Sequence, residues 1–447
     1  ASLTVTGSSV LSFDYGATST IRDSEYKEVN MQIAAGEPTI EATIEWDHGA
    51  LGSAFLSVLA IVAEAFPILP EVPVNETWKF KTDILTNYKG VESRLSLMQN
   101  PRLGLNFNVR VVDFAERRTL YELTSSNIKV QSVIPLFQYA APITTTTATG
   151  GSRLYFDPAQ CNARVGKTLI LMNRNTQQTQ LGSVTTLHSD GATINAAVGL
   201  DIEPGLWFAV PGISSFVKDD TGLDFGTQAG TFALTADAFE DWDLQRPSSG
   251  VTVPTYDSLP IIMDKFLITT PERFAYRREV IDNEIGLREI RSRDTDFVVK
   301  RSLKFSVSRS NGDFDTWREF FAEVKGAQKP FLVSTQLPDL SLRVAHADGA
   351  STLDINENYY VTKMFGLDTF KRLWIDYTDG TSTQHNVQTA VTDASSNTAI
   401  TISPLLTVGK TISRISFLQK VRASDTVKIE HYNDYSYLKF GVRTTNT

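Results

Sequence analysis

The chain has 447 residues, with 42 lysines and arginines against 51 aspartates and glutamates, which gives a net charge of −9. That length provides for about two to four domains, and 41% hydrophobic residues argue against global disorder. An acidic chain without a basic tail is a poor non-specific nucleic-acid binder, because that binding needs lysines and arginines to displace counterions from phosphates, so we expect no nucleic-acid binding. The single cysteine, Cys161, excludes an intramolecular disulfide and any multi-cysteine metal site.

The amino-terminal segment, residues 1–75, is predicted to contain strands and one apolar helix. Thr39–Trp46 alternates apolar and polar residues, which is typical of a half-buried strand. Ala54–Leu69 is the most apolar stretch, but it is shorter than the ~20 residues of a membrane helix and contains Glu64 and Pro67. We predict a buried helix there, with docking on a partner subunit as the alternative, and no membrane span. The first residues lack the features of a signal peptide, so we expect a mature chain without a targeting segment.

A tandem repeat organises the rest of the chain. The alternating stretches Arg102–Val109 and Arg301–Val307 share their apolar positions, with Phe107 matching Phe305 at a separation of 198 residues. Each stretch leads through a polar turn to a segment with helical spacing. That spacing is clearest in Asp313–Gly326, where the apolar residues form one face and a glycine provides the C-cap.

A small all-β module is predicted after each copy. Lys167–Asn173 resembles Lys371–Tyr377, and each is followed by a polar turn and two further strands. Short strands separated by Gly, Asn and Asp turns are typical of small antiparallel barrels or sandwiches. The predicted fold class is therefore mainly β with α+β elements, in which a sheet-plus-helix domain followed by a small antiparallel β-barrel or sandwich module occurs twice in tandem.

The predicted domains follow this repeat along the chain. They are an amino-terminal segment at 1–75, a first α+β domain at 76–145, a first small β module at 150–212, a connector at 213–258, a second α+β domain at 259–340 and a second small β module at 341–447.

No motif for catalysis, a cofactor or a metal is present in the sequence. A Gly-x-Ser-x-Gly turn, an HExxH helix and an EF-hand loop are all missing. Gly-Lys-Thr occurs at 166–168 and 409–411 without the upstream glycine of a phosphate-binding loop. The acidic stretch 237–243 lacks the glycine-punctuated ligand spacing of a calcium loop and is interpreted as a solvated turn. We therefore predict a protein that is not an enzyme and has no cofactor and no metal site.

The first copy carries a family resemblance. A Trp-containing strand at Trp78–Leu85 leads to Gly90-Val-Glu-Ser-Arg94 and then to Pro101-Arg102 before an alternating strand. This succession resembles a signature of the minor tail and distal tail proteins of tailed bacteriophages, and the resemblance covers most of residues 76–447. The candidate structural or interface residues that it carries are Trp78, Gly90, Glu92, Arg94, Pro101, Arg102 and Arg301.

The second copy departs from this pattern. Val280–Gly286 replaces Gly-x-Glu-x-Arg, and the Pro-Arg step becomes Lys300-Arg301. In the first copy, Gly90 permits a tight turn. Glu92 and Arg94 lie on one face of an extended segment, where we expect a cross-strand or inter-subunit pair, with an ordinary exposed ion pair as the alternative.

The resemblance implies a structural component of a phage tail tip or baseplate, without catalysis. It implies a homo-oligomeric ring that joins the tail tube to other tail-tip proteins, located in the virion tail after assembly in the host bacterial cytoplasm. A hexamer is the first expectation and a trimer the second, because an internal duplication lets three chains present six similar units. The alternative function is a receptor-binding tail protein that recognises host-surface carbohydrate, a glycan, through its β modules.

Overall fold

The structure is a computed structural model of the chain. The residues that it describes are 2–7, 11–13, 31–33, 39–47, 53–61, 66, 68–86, 92–112, 114, 116–118, 120–121, 132–176, 178–218, 222–225, 230–245, 251–267, 272–275, 278–282, 284, 288–292, 298–308, 312–346, 349–356, 358–392 and 397–445.

The described residues are mainly β, as predicted. The strands of the first half, in chain order, are β1 (Ser2–Gly7), β2 (Leu11–Phe13), β3 (Met31–Ile33), β4 (Thr39–Asp47), β5 (Ser53–Ile61), β6 (Glu71–Lys79), β7 (Thr82–Thr86), β8 (Glu92–Ser96), β9 (Arg102–Val111), β10 (Ser132–Pro135), β11 (Ala141–Pro142), β12 (Arg153–Tyr155), β13 (Thr168–Asn173), β14 (Thr179–His188), β15 (Gly191–Ile194) and β16 (Trp207–Val217).

The second half continues in the same way, with long antiparallel strands towards its end. Its strands are β17 (Gly222–Phe225), β18 (Gly230–Asp241), β19 (Thr255–Tyr256), β20 (Leu259–Pro260), β21 (Arg273–Ala275), β22 (Arg278–Ile281), β23 (Glu289–Ser292), β24 (Val298–Ser308), β25 (Phe331–Ser334), β26 (Thr352–Ile355), β27 (Arg372–Tyr377), β28 (Ser382–Thr392), β29 (Thr398–Ser403), β30 (Ile412–His431) and β31 (Tyr435–Thr444).

Helices are few among the described residues. The α-helices are α1 (Pro158–Cys161) and α2 (Asp313–Val324), residues 114, 116–118 and 120–121 are also helical, and single helical turns occur at Phe137–Tyr139, Tyr360–Met364 and Asp368–Phe370. The prediction of a helix over Asp313–Gly326 is confirmed by α2. Lys325 and Gly326 follow α2 with φ angles of 52° and 63°, so the left-handed turn falls where the glycine predicted the end of the helix.

The chain divides into two compact units. Unit 1 consists of Ala1–Glu71 and Phe107–Glu240, and unit 2 consists of Val72–Asn106 and Asp241–Thr447. The predicted first α+β domain at 76–145 is therefore divided between the units. The reason is the antiparallel pairing of β6 with β30, from Lys79 opposite Thr426 to Val74 opposite His431, which ties the start of that domain to the carboxy-terminal strands.

The apolar stretch of the amino-terminal segment forms a strand where the structure describes it. The predicted helix over Ala54–Leu69 is wrong across Ser53–Ile61, because β5 pairs with all nine residues of β4. β4 confirms the strand predicted over Thr39–Trp46, and its other edge pairs with β1. A short apolar run fits either element, and here the partner strand decides.

A small β module in unit 1 has a core of its own. Its strand β13 pairs with β14 on one side and β16 on the other, and β15 pairs with both β14 and β12. Leu154, Phe156, Leu169 and Trp207 are buried together inside it. β14 contains a β-bulge between Val184 and Thr186.

A second small β module, in unit 2, has the same pairing order. β27 pairs with β28 and β30, and β29 pairs with both β28 and β26. β28 contains a bulge between Val387 and Thr389, at the same place in its burial pattern as the bulge of β14. Leu353, Tyr360 and Phe417 are buried in its core.

The rest of unit 2 is an antiparallel sheet covered on one face by α2. In it β24 pairs with β31 over nine residues, β31 pairs with β30, and β30 pairs with β6. Trp317 of α2 lies 4.5 Å from Phe305 of β24, and Phe321 lies 5.1 Å from Phe440 of β31, measured between ring centroids. These side chains are at most 3% exposed, so an aromatic core joins the helix to the inner face of the sheet.

Candidate functional site

Trp78 is a core residue of unit 2. Its indole is fully buried on β6, where it packs edge-on against Phe321 at 5.7 Å. Its Nε1–H donates to Glu76 Oε1 at 2.5 Å, and Glu76 Oε2 lies 2.8 Å from Nε2 of His431. A buried indole that finds a polar partner combines a large apolar contact with directional hydrogen bonding. Trp78 therefore orders the sheet rather than presenting a surface.

Glu92 and Arg94 form a buried ion pair within strand β8. The Nε and Nη2 atoms of Arg94 both donate to Glu92 Oε2, at 3.1 and 2.5 Å, and Nη1 donates to the carbonyl of Ala327 at 2.8 Å. The Arg94 side chain is 6% exposed and the Glu92 side chain is 14% exposed. The two residues are two positions apart on one strand, and Arg94 also bonds the loop that leaves α2, so the pair is partly buried.

Three further charged residues complete this arrangement. Glu92 Oε1 accepts from Arg443 of β31, and Arg422 of β30 donates to the carbonyl of Gln328. Asp425 Oδ1 accepts from the amide of Ala327 at 3.2 Å and from the Thr82 hydroxyl at 2.9 Å. The helix-exit clamp, as we name it, consists of Glu92, Arg94, Arg422, Asp425 and Arg443.

Positive charge is concentrated in the helix-exit clamp. The pKa of Arg422 is lowered by burial and by the neighbouring Arg94 and Arg443 guanidinium groups, while Glu92 opposes that shift. Arginines hold planar carboxylate and carbonyl partners in fixed directions, so this cluster is suited to positioning and ordering.

Pro101 and Arg102 lie in different environments although they are adjacent. Pro101 is buried, and its carbonyl accepts from the amide of Trp242 at 2.7 Å. The side chain of Arg102 is 62% exposed, and its Nε lies 3.7 Å from Asp241. Pro101 thus holds the start of β9, whereas Arg102 makes only a loose surface pair.

Arg301 follows Lys300, the residue that the offset of 198 matches to Arg102, and it is buried. Its side chain is 5% exposed, its Nε lies 3.0 Å from Glu272, and it also bonds Gln419 of β30. Burial lowers the pKa of Arg301, and Glu272 and Asp339 oppose that shift. Gly90, the remaining candidate, lies outside the described residues. The candidates that the structure describes all fall within unit 2, but only Glu92 and Arg94 contact one another.

A polar cavity in unit 2 had no signal in the sequence. It has a volume of about 350 Å³ and is lined by Lys265, Pro338, Asp376, Tyr377, Gly380, Ser413 and Arg414. Asp376 accepts from Arg414 Nε at 2.9 Å and from Trp374 Nε1 at 2.9 Å. Its lining comes from distant parts of the chain, so no local motif could have indicated it.

Among the described residues, no three His, Cys, Asp or Glu side chains come together in a way that could hold a metal ion. Cys161 is fully buried, and burial together with the nearby Asp157 raises the pKa of its thiol, which disfavours the reactive thiolate.

The sequence matches no protein-family model and no curated protein. Within the described ranges, every helix is too short or too polar to span a bilayer.

Proposed function

We propose that this chain is a structural subunit of a phage tail tip or baseplate, forming a ring that joins the tail tube to distal tip proteins. The observation that carries the proposal is a succession of elements that occurs twice. In the first copy β6 leads through the β7–β8 hairpin to β9, and in the second β21 leads through the β22–β23 hairpin to β24. Each succession is followed by one of the two small modules.

We interpret the two successions as a tandem duplication. The matching bulges of β14 and β28, and the shared pairing order of the modules, support a common origin for the two halves. Duplicated elements are suited to a ring, because one chain then offers similar contact surfaces at two positions around the axis.

Both hairpins expose apolar side chains. Leu85 and Leu95 of the β7–β8 hairpin are 65% and 62% exposed, and they lie on the face opposite to Arg94. In the β22–β23 hairpin, Val280 and Ile290 lie directly opposite each other and are 52% and 60% exposed. Exposed apolar patches of this kind mark contact sites, and the helix-exit clamp holds the first hairpin from its polar face.

The proposal is tested by locating the chain on intact particles. An antibody against this chain, imaged by negative-stain electron microscopy, should label one end of the phage tail. Labelling over the capsid, or along the whole tail, would contradict a role at the tail tip. A pre-immune antibody on the same particles is the control.

A second candidate function is recognition of host-surface carbohydrate, which the polar cavity favours. Its volume of about 350 Å³ is in the range of small-ligand sites, and its lining offers hydroxyl, ammonium and carboxylate groups. Full-length protein should then bind glycans of a permissive host, and Asp376→Asn should weaken that binding. Failure of the wild-type chain to bind such cells would count against this function and leave the ring proposal intact.

A further inference from the structure

A row of cationic side chains crosses four neighbouring strands of unit 2. Arg273 of β21 lies opposite Lys300 of β24, Lys300 lies opposite Arg443 of β31, and Arg443 lies opposite Arg422 of β30. Directly opposite residues of antiparallel strands share one face, and like charges in that position destabilise a sheet. A row of four such charges therefore needs compensation from elsewhere.

A second row repeats the arrangement on the same strands. Lys304 of β24 lies opposite Lys439 of β31, which lies opposite Lys428 of β30. Along β24 and β31 the two rows are four residues apart, so they share a face and are separated by about 13 Å. We call these seven side chains the basic sheet face. The opposite face of the same strands is the one that α2 covers.

The basic sheet face is exposed at Arg273, Lys300, Lys428 and Lys439 and partly covered at Lys304, Arg422 and Arg443, and it has few counter-charges. Its carboxylates are Glu430, which lies 3.9 Å from Lys304 Nζ, and Glu92, which bonds Arg443. Lys304 Nζ also lies 4.1 Å from the centre of the Tyr437 ring. The other exposed cations, Arg273, Lys300, Lys428 and Lys439, form no ion pair with any described residue.

We propose that the basic sheet face binds an acidic surface of a second copy of this chain, an inference that rests on the proposed ring. The chain has a net charge of −9, although this face alone carries seven cations, so the rest of its surface is more acidic than the net charge indicates. Each neighbouring copy provides one such acidic surface, so a ring has as many acidic surfaces as basic sheet faces. A head-to-tail contact between unlike surfaces is the kind that closes a ring.

A nucleic acid fits this surface less well than a second copy does. Charge attraction acts over a Debye length of about 8 Å at physiological salt, so local complementarity between two protein surfaces is sufficient. A nucleic acid carries negative charge along its whole length, and beyond the basic sheet face it would meet the acidic remainder of the chain.

The test reverses charge at the centre of the second row. The face variant combines Lys428→Glu with Lys439→Glu, two exposed residues that lie opposite each other. The control variant combines Lys363→Glu with Lys371→Glu, which makes the same charge change in the second small module, outside the face. Association is measured by analytical ultracentrifugation, and folding by circular dichroism. We expect the face variant to associate at least about tenfold more weakly than wild type, and the control variant to associate like wild type.

Salt provides a measurement that needs no variant. Raising NaCl from about 0.05 to about 0.5 M shortens the Debye length severalfold and should weaken association of the wild-type chain by about tenfold or more. If the wild type forms rings that neither salt nor the face variant affects, the inference is wrong while the ring proposal stands. If the wild type does not associate under any condition, the ring proposal fails and the inference fails with it.

A duplex DNA oligonucleotide of mixed sequence completes the test. Binding of wild type and control that is lost in the face variant, without any effect on self-association, would assign the face to nucleic acid and overturn the inference. We expect no shift of the oligonucleotide in a gel mobility assay at about 0.15 M salt.

Discussion

Arg94 connects three parts of unit 2 through one guanidinium group. It holds Glu92 on its own strand and the carbonyl of Ala327 beyond α2, and Glu92 in turn holds Arg443 of β31. Both members of the pair are nearly covered, so solvent does little to screen them. Loss of one partner leaves the other buried and unpaired, which is the costly way to break such a pair.

We predict that Arg94→Ala lowers the free energy of unfolding by about 3 kcal/mol. Arg102→Ala is the matched control, since it removes a side chain that is 62% exposed and should cost at most about 1 kcal/mol. Urea denaturation followed by circular dichroism measures both. Equal effects of the two substitutions would contradict a buried ordering role for Arg94.

His385 lies buried in the second small module. Its Nδ1 is 2.7 Å from the carbonyl of Pro404, and its Nε2 is 2.7 Å from the Thr383 hydroxyl. Burial lowers the pKa of this histidine below its ordinary value of 6.5, and the hydrogen bond with Pro404 opposes that shift. The folded module therefore favours the neutral imidazole.

We predict that His385 makes the protein less stable as the pH falls below about 6.5. The unfolded chain takes up a proton there that the folded chain binds only at lower pH, so this stability is complete above the unfolded pKa and lost beneath it. The loss reaches at most about 2 kcal/mol at pH 5. Thermal unfolding between pH 7 and 5 should show a smaller decrease for His385→Gln than for wild type, while exposed His188→Gln should behave like wild type.

At the scale of elements, α2 is positioned by its two ends as well as by its aromatic face. Asp313 and Asp315 lie in its first turn, where carboxylates interact favourably with the helix dipole. Gly326 follows its last turn in the left-handed region, and a Cβ there would lie 2.8 Å from Cβ of Phe80. The turn after α2 is thus close-packed, whereas Gly312, which precedes α2, has open space around it.

We predict that Gly326→Ala destabilises unit 2 more than Gly312→Ala does. Both positions have positive φ angles, so both substitutions cost roughly 1–2 kcal/mol of backbone strain. Only Gly326→Ala adds a collision with Phe80, which we expect to cost about 1–3 kcal/mol more. Thermal unfolding measures the difference. Equal shifts of the unfolding midpoints of the two variants would show that the turn accommodates the added methyl group without further loss of stability.

Strand pairing decides the elements that local pattern leaves open. The alternating stretches form β4, β9 and β24, and in β9 and β24 the burial alternates with period two, as in a sheet with one covered face. A helix was predicted over the apolar stretch that contains β5, but the register of β5 with β4 makes it a strand. The segment predicted to be helical after β9 is helical at the described residues 114, 116–118 and 120–121.

At the scale of the whole molecule, the proposed duplication sets the symmetry that we expect of the proposed ring. A chain that carries two similar halves can form a pseudo-sixfold ring from three copies, and six copies would form one with twelve similar halves. The exposed apolar hairpins of both copies lie in unit 2, and each needs a cover in such a ring. Oligomers with closed symmetry bury such patches on every subunit.

We predict that the purified chain assembles into particles of six subunits, or of three as the alternative. Native mass spectrometry measures the number directly. Leu85→Asp combined with Leu95→Asp should shift the particles towards monomers, whereas Val391→Asp, at an exposed position outside the hairpins, should leave them unchanged. A monomeric wild-type chain at micromolar concentration would contradict the ring.

The amino-acid sequence by itself determined the β-rich class and the helix α2 with its glycine end. It also singled out the residues of the Gly-x-Glu-x-Arg motif as candidates. Those properties are local, since they depend on side-chain period and on the backbone freedom of single residues. Only the tertiary structure decided that Arg94 is mostly covered and Arg102 exposed, that β6 pairs with β30, and that lysines and arginines far apart in the chain form one basic sheet face. Burial and register depend on which strands become neighbours, and that is settled by packing of the whole chain rather than by any short stretch of it.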